Sequence, residues 1–223
     1  DIVSAKIDTE KRAEITKHHS LAHLLQAALQ GVLSKEVHQA GSQVEADKTR
    51  YDFTFERALT NAEIKKVQDL INSWIKKGLK RTTQVMSLDE ANQTGAMALF
   101  GEKYGEYVRV VSFSDDSKCY SKELCGGCHV DNTKDLRLAK IISESASSAG
   151  VRRIEIVCSD SAIKLLEEKS DLLDTLSSVN KVPANQLQDK INKLDREVKD
   201  LSSKLGNLEA QRAKESFNTL LSK

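Results

Sequence analysis

Apolar residues recur at helical spacing in the first part of the chain. Helical sequence begins at about Thr9, and Thr16 is a candidate N-cap for the strongly periodic part. Leucine, alanine and valine then follow every three or four residues up to Leu33. This spacing predicts an amphipathic helix. The residues on its apolar face are Leu21, Leu24, Leu25, Ala28, Leu29, Val32 and Leu33.

The next segment predicts a hairpin and a second helix. Residues 39–42 have the composition of a turn, and residues 43–47 and 50–55 alternate as paired strands do. Thr60 begins a capping-box pattern, and the apolar spacing beyond it predicts an amphipathic helix that stops at Gly78.

The middle of the chain contains short elements in irregular order. Strands are predicted at residues 80–86, 107–113 and 118–122, a short helix at 88–93, and β-rich or mixed apolar runs at 138–145 and 151–157. Strands and helices do not alternate regularly, which argues against a doubly wound parallel sheet. We therefore predict an α+β fold with an antiparallel sheet packed against helices.

The pattern changes at Ser161, where a helix is predicted that is interrupted at residues 180–183. A heptad seam follows over three repeats, with spacings of 4, 3, 4, 3, 4 and 3, formed by Leu187, Ile191, Leu194, Val198, Leu201, Leu205 and Leu208. We expect the two helices to form an antiparallel hairpin, and self-association as a dimeric coiled coil is the alternative. The predicted domains are residues 1–160 and 161–223.

Composition narrows the classes of function. The 223 residues carry a net charge of +1, so binding of nucleic acid requires a local basic patch. One candidate is the cluster Lys76, Lys77, Lys80 and Arg81, which could equally be a solvated helix end, and another is Arg152 with Arg153. Four cysteines without a signal peptide or a long apolar run indicate a reducing, cytoplasmic compartment and no membrane span. Because the chain begins with Asp1, we expect an excised piece of a longer protein.

Two remote segments together offer the ligands of a metal site. Cys125, Cys128 and His129 lie around a pair of glycines, and His19 and His23 are four residues apart on one helix face. Cys125 and His129 share that four-residue spacing, so we select them as the other two ligands, with Cys128 as a competing thiol. This set suits Zn²⁺. The neighbouring His18 is expected to be exposed.

At this point several segments resemble one family, the editing domain of alanyl-tRNA synthetases and its free-standing relatives. The matching stretches are residues 19–25, 41–44, 50–53, 95–105, 108–111, 125–130 and 150–155, which occur in family order over roughly residues 1–160. The interrupted helices after residue 160 are similar to the helical linker that follows this domain in the synthetase.

The resemblance implies a zinc-dependent hydrolase that cleaves the ester of seryl- or glycyl-tRNA(Ala). The family's zinc ligands correspond to His19, His23, Cys125 and His129, in agreement with the choice made from spacing. Its substrate-proximal glutamine corresponds to Gln39. We expect tRNA contacts from the basic residues Arg50, Lys76, Lys77, Arg152 and Arg153.

The chain departs from the family at two positions that bear on the substrate. Cys128 and Ala22 stand where the family usually has threonine, so a hydroxyl is replaced by a thiol at one position and is lost at the other. Candidates for recognising the serine hydroxyl are Ser20, Gln39 and Cys128. The competing hypotheses are a non-catalytic, zinc-stabilised module for tRNA binding or oligomerisation, and a thiol redox protein that uses Cys125 and Cys128.

Overall fold

The computed structural model of the protein describes residues 3–98 and 103–221. Residues 99–102 of the glycine-punctuated segment 95–105 therefore lie outside the described part. The chain divides into two compact units, residues 1–165 and 166–223. Residues 3–8 contain no strand, so this stretch is a lead-in to the first helix.

The α+β class is confirmed, with antiparallel sheets packed against helices and a long C-terminal helix. Helices α1–α5 are Thr9–Val32, Asn61–Lys77, Leu88–Gln93, Ser159–Asn180 and Leu187–Leu221. Strands β1–β7 are Gln39–Val44, Thr49–Thr54, Lys80–Ser87, Tyr107–Ser114, Cys119–Leu124, Ala139–Ser148 and Val151–Cys158. Short 3-10 turns occupy Thr133–Leu136 and Ala184–Gln186.

The strands form two antiparallel sheets rather than one. The first has the order β1-β2-β7-β6 and the second the order β3-β4-β5. In the first sheet Tyr51 lies opposite Ile154, and both side chains are fully buried. Inward-facing residues of this kind anchor the register, because a slip of one residue would turn them all towards solvent.

Helix α1 is the central element of the first unit. It contacts β1, β2, β5, β7 and α2, and it is buried on more than one face. Its N-cap is Asp8, whose carboxylate accepts a hydrogen bond from the backbone N–H of Lys11, so the candidate cap Thr16 is wrong. The Thr16 hydroxyl instead donates to the carbonyl of Arg12 one turn earlier.

The prediction that His18 is exposed is also wrong. His18 is fully buried, and its ring contacts the carbonyl of Glu14 and the backbone N–H of Cys158 on β7. The helix is covered on this side by the first sheet, where Thr49 donates to the carbonyl of His18. Burial lowers the pKa of His18 below its usual value.

Helix α2 forms as its local signals predict. Thr60 and Glu63 make both hydrogen bonds of the capping box, and Gly78 ends the helix in the left-handed conformation with φ of 75°. By contrast, the turn predicted at residues 39–42 is wrong, because β1 already begins at Gln39. The pairing of β1 with β2 is irregular between Gln39 and Gly41. This irregularity lets the glycine-containing segment remain in the sheet.

The second unit contains the predicted break at Lys181–Pro183, and Lys181 has φ of 53°. The heptad residues of α5 from Ile191 to Leu208 are between 39 and 63% exposed, so within the described residues this seam is not covered. Leu187 alone is buried. No helix among the described residues combines the length and the apolar character that a membrane-spanning segment needs.

Candidate metal centre

Four side chains from two remote segments converge in the first unit. His19 and His23 project from α1 and meet Cys125 and His129, which follow β5. One ligand atom from each of the four lies within 4.8 Å of the others. This is a His/Cys cluster compatible with zinc, which is commonly bound by four nitrogen and sulfur ligands in tetrahedral geometry.

The loop after β5 is held in place by Arg109 of β4. The guanidinium donates to the carbonyls of Cys125, at 2.9 Å, and Gly127, at 2.6 Å. The backbone N–H of Gly127 in turn donates to Cys125 Sγ at 3.4 Å. These bonds fix the thiol beside the imidazoles, with Sγ 3.5 Å from His19 Nε2 and 3.3 Å from His129 Nε2.

Gly127 is required by the close approach of His19. A Cβ at this position would lie 2.1 Å from His19 Cε1, whereas one at Gly126 would meet nothing within 4 Å. The ring of His19 therefore packs directly against the loop backbone, and it also makes a hydrogen bond to the backbone of Cys128.

Ser20 supports His129 from inside the protein. Its hydroxyl donates to the carbonyl of Thr16, accepts from the backbone N–H of Val130, and lies 3.3 Å from His129 Nδ1. A hydroxyl has one donor and two acceptor positions, so these three contacts use all of them when Nδ1 carries the proton. Ser20 is fully buried, and its hydroxyl is not available to a substrate.

His23 lies beside a buried carboxyl group. Its Nε2 is 3.6 Å from Glu123 Oε2, while its Nδ1 is buried without a hydrogen-bond partner among the described residues. Burial raises the pKa of Glu123 to about 8. Burial, followed by the nearby His19 and Arg109, lowers the pKa of His23 to about 3. Near neutral pH the burial of this pair thus favours its uncharged forms.

The imidazoles of the cluster are poised to bind a metal. Burial lowers the pKa of His129 to about 2 and also lowers that of His19, with further contributions from Arg109. Neutral imidazoles offer lone pairs at pH 7, which is what a metal ion requires. The orphaned ring nitrogen of His23 is a buried polar atom that such an ion would satisfy.

An open cavity of about 410 Å³ adjoins the cluster, within the size range of small-molecule sites. Its wall includes His19, Cys125 and Arg109 together with the aromatic residues Tyr104 and Tyr107. Cys128 lies outside the four-residue cluster, is exposed, and accepts a hydrogen bond from the Arg12 guanidinium at 3.1 Å.

The remaining substrate candidates lie elsewhere on the fold. Gln39 begins the outer strand of the first sheet, and its side-chain amide donates to Ser42 at 3.0 Å. Among the described residues, Gln39 forms no hydrogen bond to the metal cluster. Ala22 is 5% exposed and belongs to the apolar core.

Most of the predicted basic contacts are engaged within the protein. Arg153 forms two hydrogen bonds to Asp52, and Arg152 is paired with the buried carboxylate of Glu144. Lys77 donates to the hydroxyl of Tyr120 and lies 3.8 Å from Asp115.

The remaining two predicted basic residues, Lys76 and Arg50, differ from each other in how exposed they are to solvent. Lys76 is exposed, and Arg50 is half-buried, with its Nε buried and unpaired within the part of the chain described.

Sequence reasoning did not single out Arg109 and Glu123. Arg109 makes its contacts only once β4 and the loop after β5 are adjacent, which no local pattern reveals. Glu123 carried a weak signal, because it alternates with Ser121 on the side of β5 that faces inward.

Comparison with known proteins gives a consistent result. Residues 108–155 match the family described as the Threonyl and Alanyl tRNA synthetase second additional domain. The chain is 41% identical over its whole length to an alanine–tRNA ligase of Methylobacillus flagellatus and 43% identical, over 99% of its length, to one of Lachnoclostridium phytofermentans. An alanine–tRNA ligase of Staphylococcus aureus is 45% identical over 94% of the chain. The chain spans about a quarter of the length of these curated relatives.

Proposed function

We propose that the chain hydrolyses the ester of tRNA(Ala) mischarged with serine or glycine, on the premise of its similarity to alanine–tRNA ligases and to the second additional domain. The observation that carries the proposal is the convergence of His19, His23, Cys125 and His129 beside an open cavity. The cavity gives a substrate access to the cluster, which a fully enclosed structural site would not.

The proposed cofactor is Zn²⁺, bound by those four residues. Bound there, it would supply Lewis-acid polarisation of the ester carbonyl or orientation of the substrate. Three imidazoles and one thiolate match its preferred donors. These four side chains would hold the ion, and the adjoining cavity would give the ester access to it.

The chain's own residues would act mainly by positioning the ester. An ester is already activated, so the site needs mainly to position it against an attacking water and to stabilise the developing oxyanion. The hydrogen bonds from Arg109 keep the Cys125 loop in one conformation, and the cavity beside it offers room for the terminal aminoacyl nucleoside.

Selection of serine over alanine requires a polar group that meets the serine hydroxyl. Cys128 is the remaining candidate near the cluster, because it is exposed whereas Ser20 is buried. Gln39 retains the role that the family resemblance implies. Exposed Lys76 and half-buried Arg50 are the proposed tRNA contacts, since the two guanidinium groups on β7 are paired with carboxylates.

The test is deacylation by the purified, zinc-loaded chain. We expect release of serine from seryl-tRNA(Ala) and of glycine from glycyl-tRNA(Ala), with alanyl-tRNA(Ala) left intact. The matched control is the double variant His19→Ala, His23→Ala, assayed at the same protein concentration. Release no faster than with this control would reject the hydrolase and leave a non-catalytic, zinc-stabilised tRNA-binding module.

A second role, self-association, is favoured by the exposed seam of α5. Val198, Leu201 and Leu205 are 58 to 63% exposed, although their heptad spacing is typical of a coiled-coil core. We propose that a second copy of the chain covers them.

Sedimentation velocity tests this proposal. Leu201→Glu should yield monomer, whereas Ser203→Glu, about 200° further round the helix, should not alter the association. A wild-type chain that is monomeric at high micromolar concentration would reject the proposal.

A further inference from the structure

Glu123 is a buried carboxyl group that the proposed hydrolysis does not use. It is the second-last residue of β5, two positions before Cys125, and it is 7% exposed. Its Oε1 accepts a hydrogen bond from the Ser121 hydroxyl at 3.1 Å, while its Oε2 faces His23. Burying a carboxyl group costs free energy unless its partners repay the cost.

The other two imidazoles of the cluster already have partners outside it. Ser20 lies at Nδ1 of His129, and the backbone of Cys128 bonds to the ring of His19. Metal-binding histidines in proteins almost always use their second nitrogen in this way, which fixes the tautomer and the orientation of the ring. Glu123 is in the position to do the same for His23.

The contacts of His23 support this assignment. One ring nitrogen is 3.6 Å from Glu123 Oε2, and the other is buried with no hydrogen-bond partner in the described part of the chain. The distance exceeds an ordinary N–H···O bond by about 0.4 Å, which a small ring movement removes. A metal ion and Glu123 would together satisfy both nitrogens, and neither alone would do so.

We propose that Glu123 is a positioning residue of the metal centre, whose carboxyl oxygen accepts a hydrogen bond from the ring nitrogen of His23 that does not bind the metal. This inference rests on the metal-binding part of the proposed function and not on the hydrolysis. It assigns to Glu123 an effect on metal affinity that is separable from folding.

The effect of Glu123 on metal affinity can be separated from its effect on folding because the carboxyl group is buried. Removing the carboxyl group also removes the cost of burying it, which offsets the loss of its hydrogen bond from Ser121. Glu123→Leu should therefore leave the metal-free protein folded but release His23. Glu123→Gln keeps an oxygen acceptor at the same distance and serves as the matched control.

Zinc affinity, measured by competition with a chromogenic chelator, tests the proposal without tRNA. We expect Glu123→Leu to bind zinc about 10- to 100-fold more weakly than wild type, and Glu123→Gln to bind it nearly as tightly. Unchanged affinity in Glu123→Leu, or an equal loss in both variants, would overturn the hydrogen-bonding role. Thermal unfolding in the presence of a chelator checks that both variants are folded.

A second measurement keeps the test decisive if Glu123→Leu does not fold. Glu123→Met has nearly the same length and no strong acceptor, and it should show the same loss of affinity. In zinc-loaded wild type and Glu123→Gln, nuclear magnetic resonance should detect a slowly exchanging imidazole N–H on His23. Persistence of that signal in Glu123→Met, with unchanged protection, would reject the hydrogen bond. If the wild-type chain fails to deacylate seryl-tRNA(Ala) while Glu123→Leu still binds zinc more weakly than wild type, only the hydrolase is rejected and the role of Glu123 stands.

Discussion

In the metal centre the backbone of Gly127 leaves no room for a Cβ beside the ring of His19. In Gly127→Ala the new Cβ would lie 2.1 Å from Cε1 and 2.5 Å from Nδ1 of that ring. Ordinary contact begins at about 3.5 Å, so the ring or the loop must move by about 1.4 Å. Neither glycine of the pair has a positive φ, so the perturbation is steric and not one of backbone strain.

The size of this displacement decides its effect on zinc. Ligand distances in metal sites hold to within about 0.2 Å of their usual values, so a shift of about 1.4 Å removes His19 from the donor set. Movement of the loop instead would break the bonds from Arg109 to the carbonyls of Cys125 and Gly127. Loss of a hydrogen-bond partner behind a metal ligand weakens metal binding by about 10- to 100-fold. Gly127→Ala displaces a ligand itself, so we expect its zinc affinity to fall by at least the upper end of that range, which is about 2.7 kcal/mol.

Chelator competition on Gly127→Ala and Gly126→Ala provides a matched comparison. A Cβ at Gly126 meets nothing within 4 Å, so Gly126→Ala should bind zinc as wild type does. Deacylation of seryl-tRNA(Ala) should fall in parallel in Gly127→Ala only. Equal zinc affinity of the two variants would refute the argument that this glycine is required by His19.

Three further outcomes are expected. Ser20→Ala should weaken zinc binding by about 10-fold or more, because His129 loses its buried partner, and an unchanged dissociation constant would contradict this. Cys128→Ala should retain full zinc affinity while Cys125→Ala loses it, as measured by metal content after dialysis; loss in both would make Cys128 a ligand. The hydrogen bond from Arg57, which has the larger effect, and those from Thr60 lower the pKa of Glu63 to about 2 in the folded protein. Its stabilising contribution is therefore present above about pH 4.5 and is lost as the pH falls towards 2. Glu63→Gln should flatten this part of the acid unfolding profile, and an unchanged profile would exclude the residue as a cause.

Local signals in the sequence were sufficient for the elements that depend on near neighbours. The capping box at Thr60 and the left-handed Gly78 define α2 because each acts on the backbone within a few residues. The spacing of four residues likewise selected His19 with His23 and Cys125 with His129, and the fold brings these four together. Whether they bind zinc stays a prediction.

The predictions for His18 and for residues 39–42 depend on tertiary packing, and both were wrong. His18 was predicted to be exposed because a helix with one apolar stripe has a solvated opposite face, but α1 is covered on more than one side. The turn expected at residues 39–42 is a strand, because pairing with β2 absorbs the irregularity near Gly41. The nucleic-acid surface expected at Arg152 and Arg153 stays a prediction, and carboxylates from neighbouring strands pair with both residues.

The sequence by itself determined the α+β class, the capped helix α2, the heptad seam and the identity of the four candidate ligands. Only the tertiary structure decided which groups stand behind those ligands: Ser20 beside His129, Glu123 beside His23, and Gly127 against His19. Periodicity and caps arise from interactions over one or two helical turns, so the sequence displays them directly. The partners of a metal centre lie about a hundred residues apart, and their contacts arise only when α1 packs against β5 and its loop.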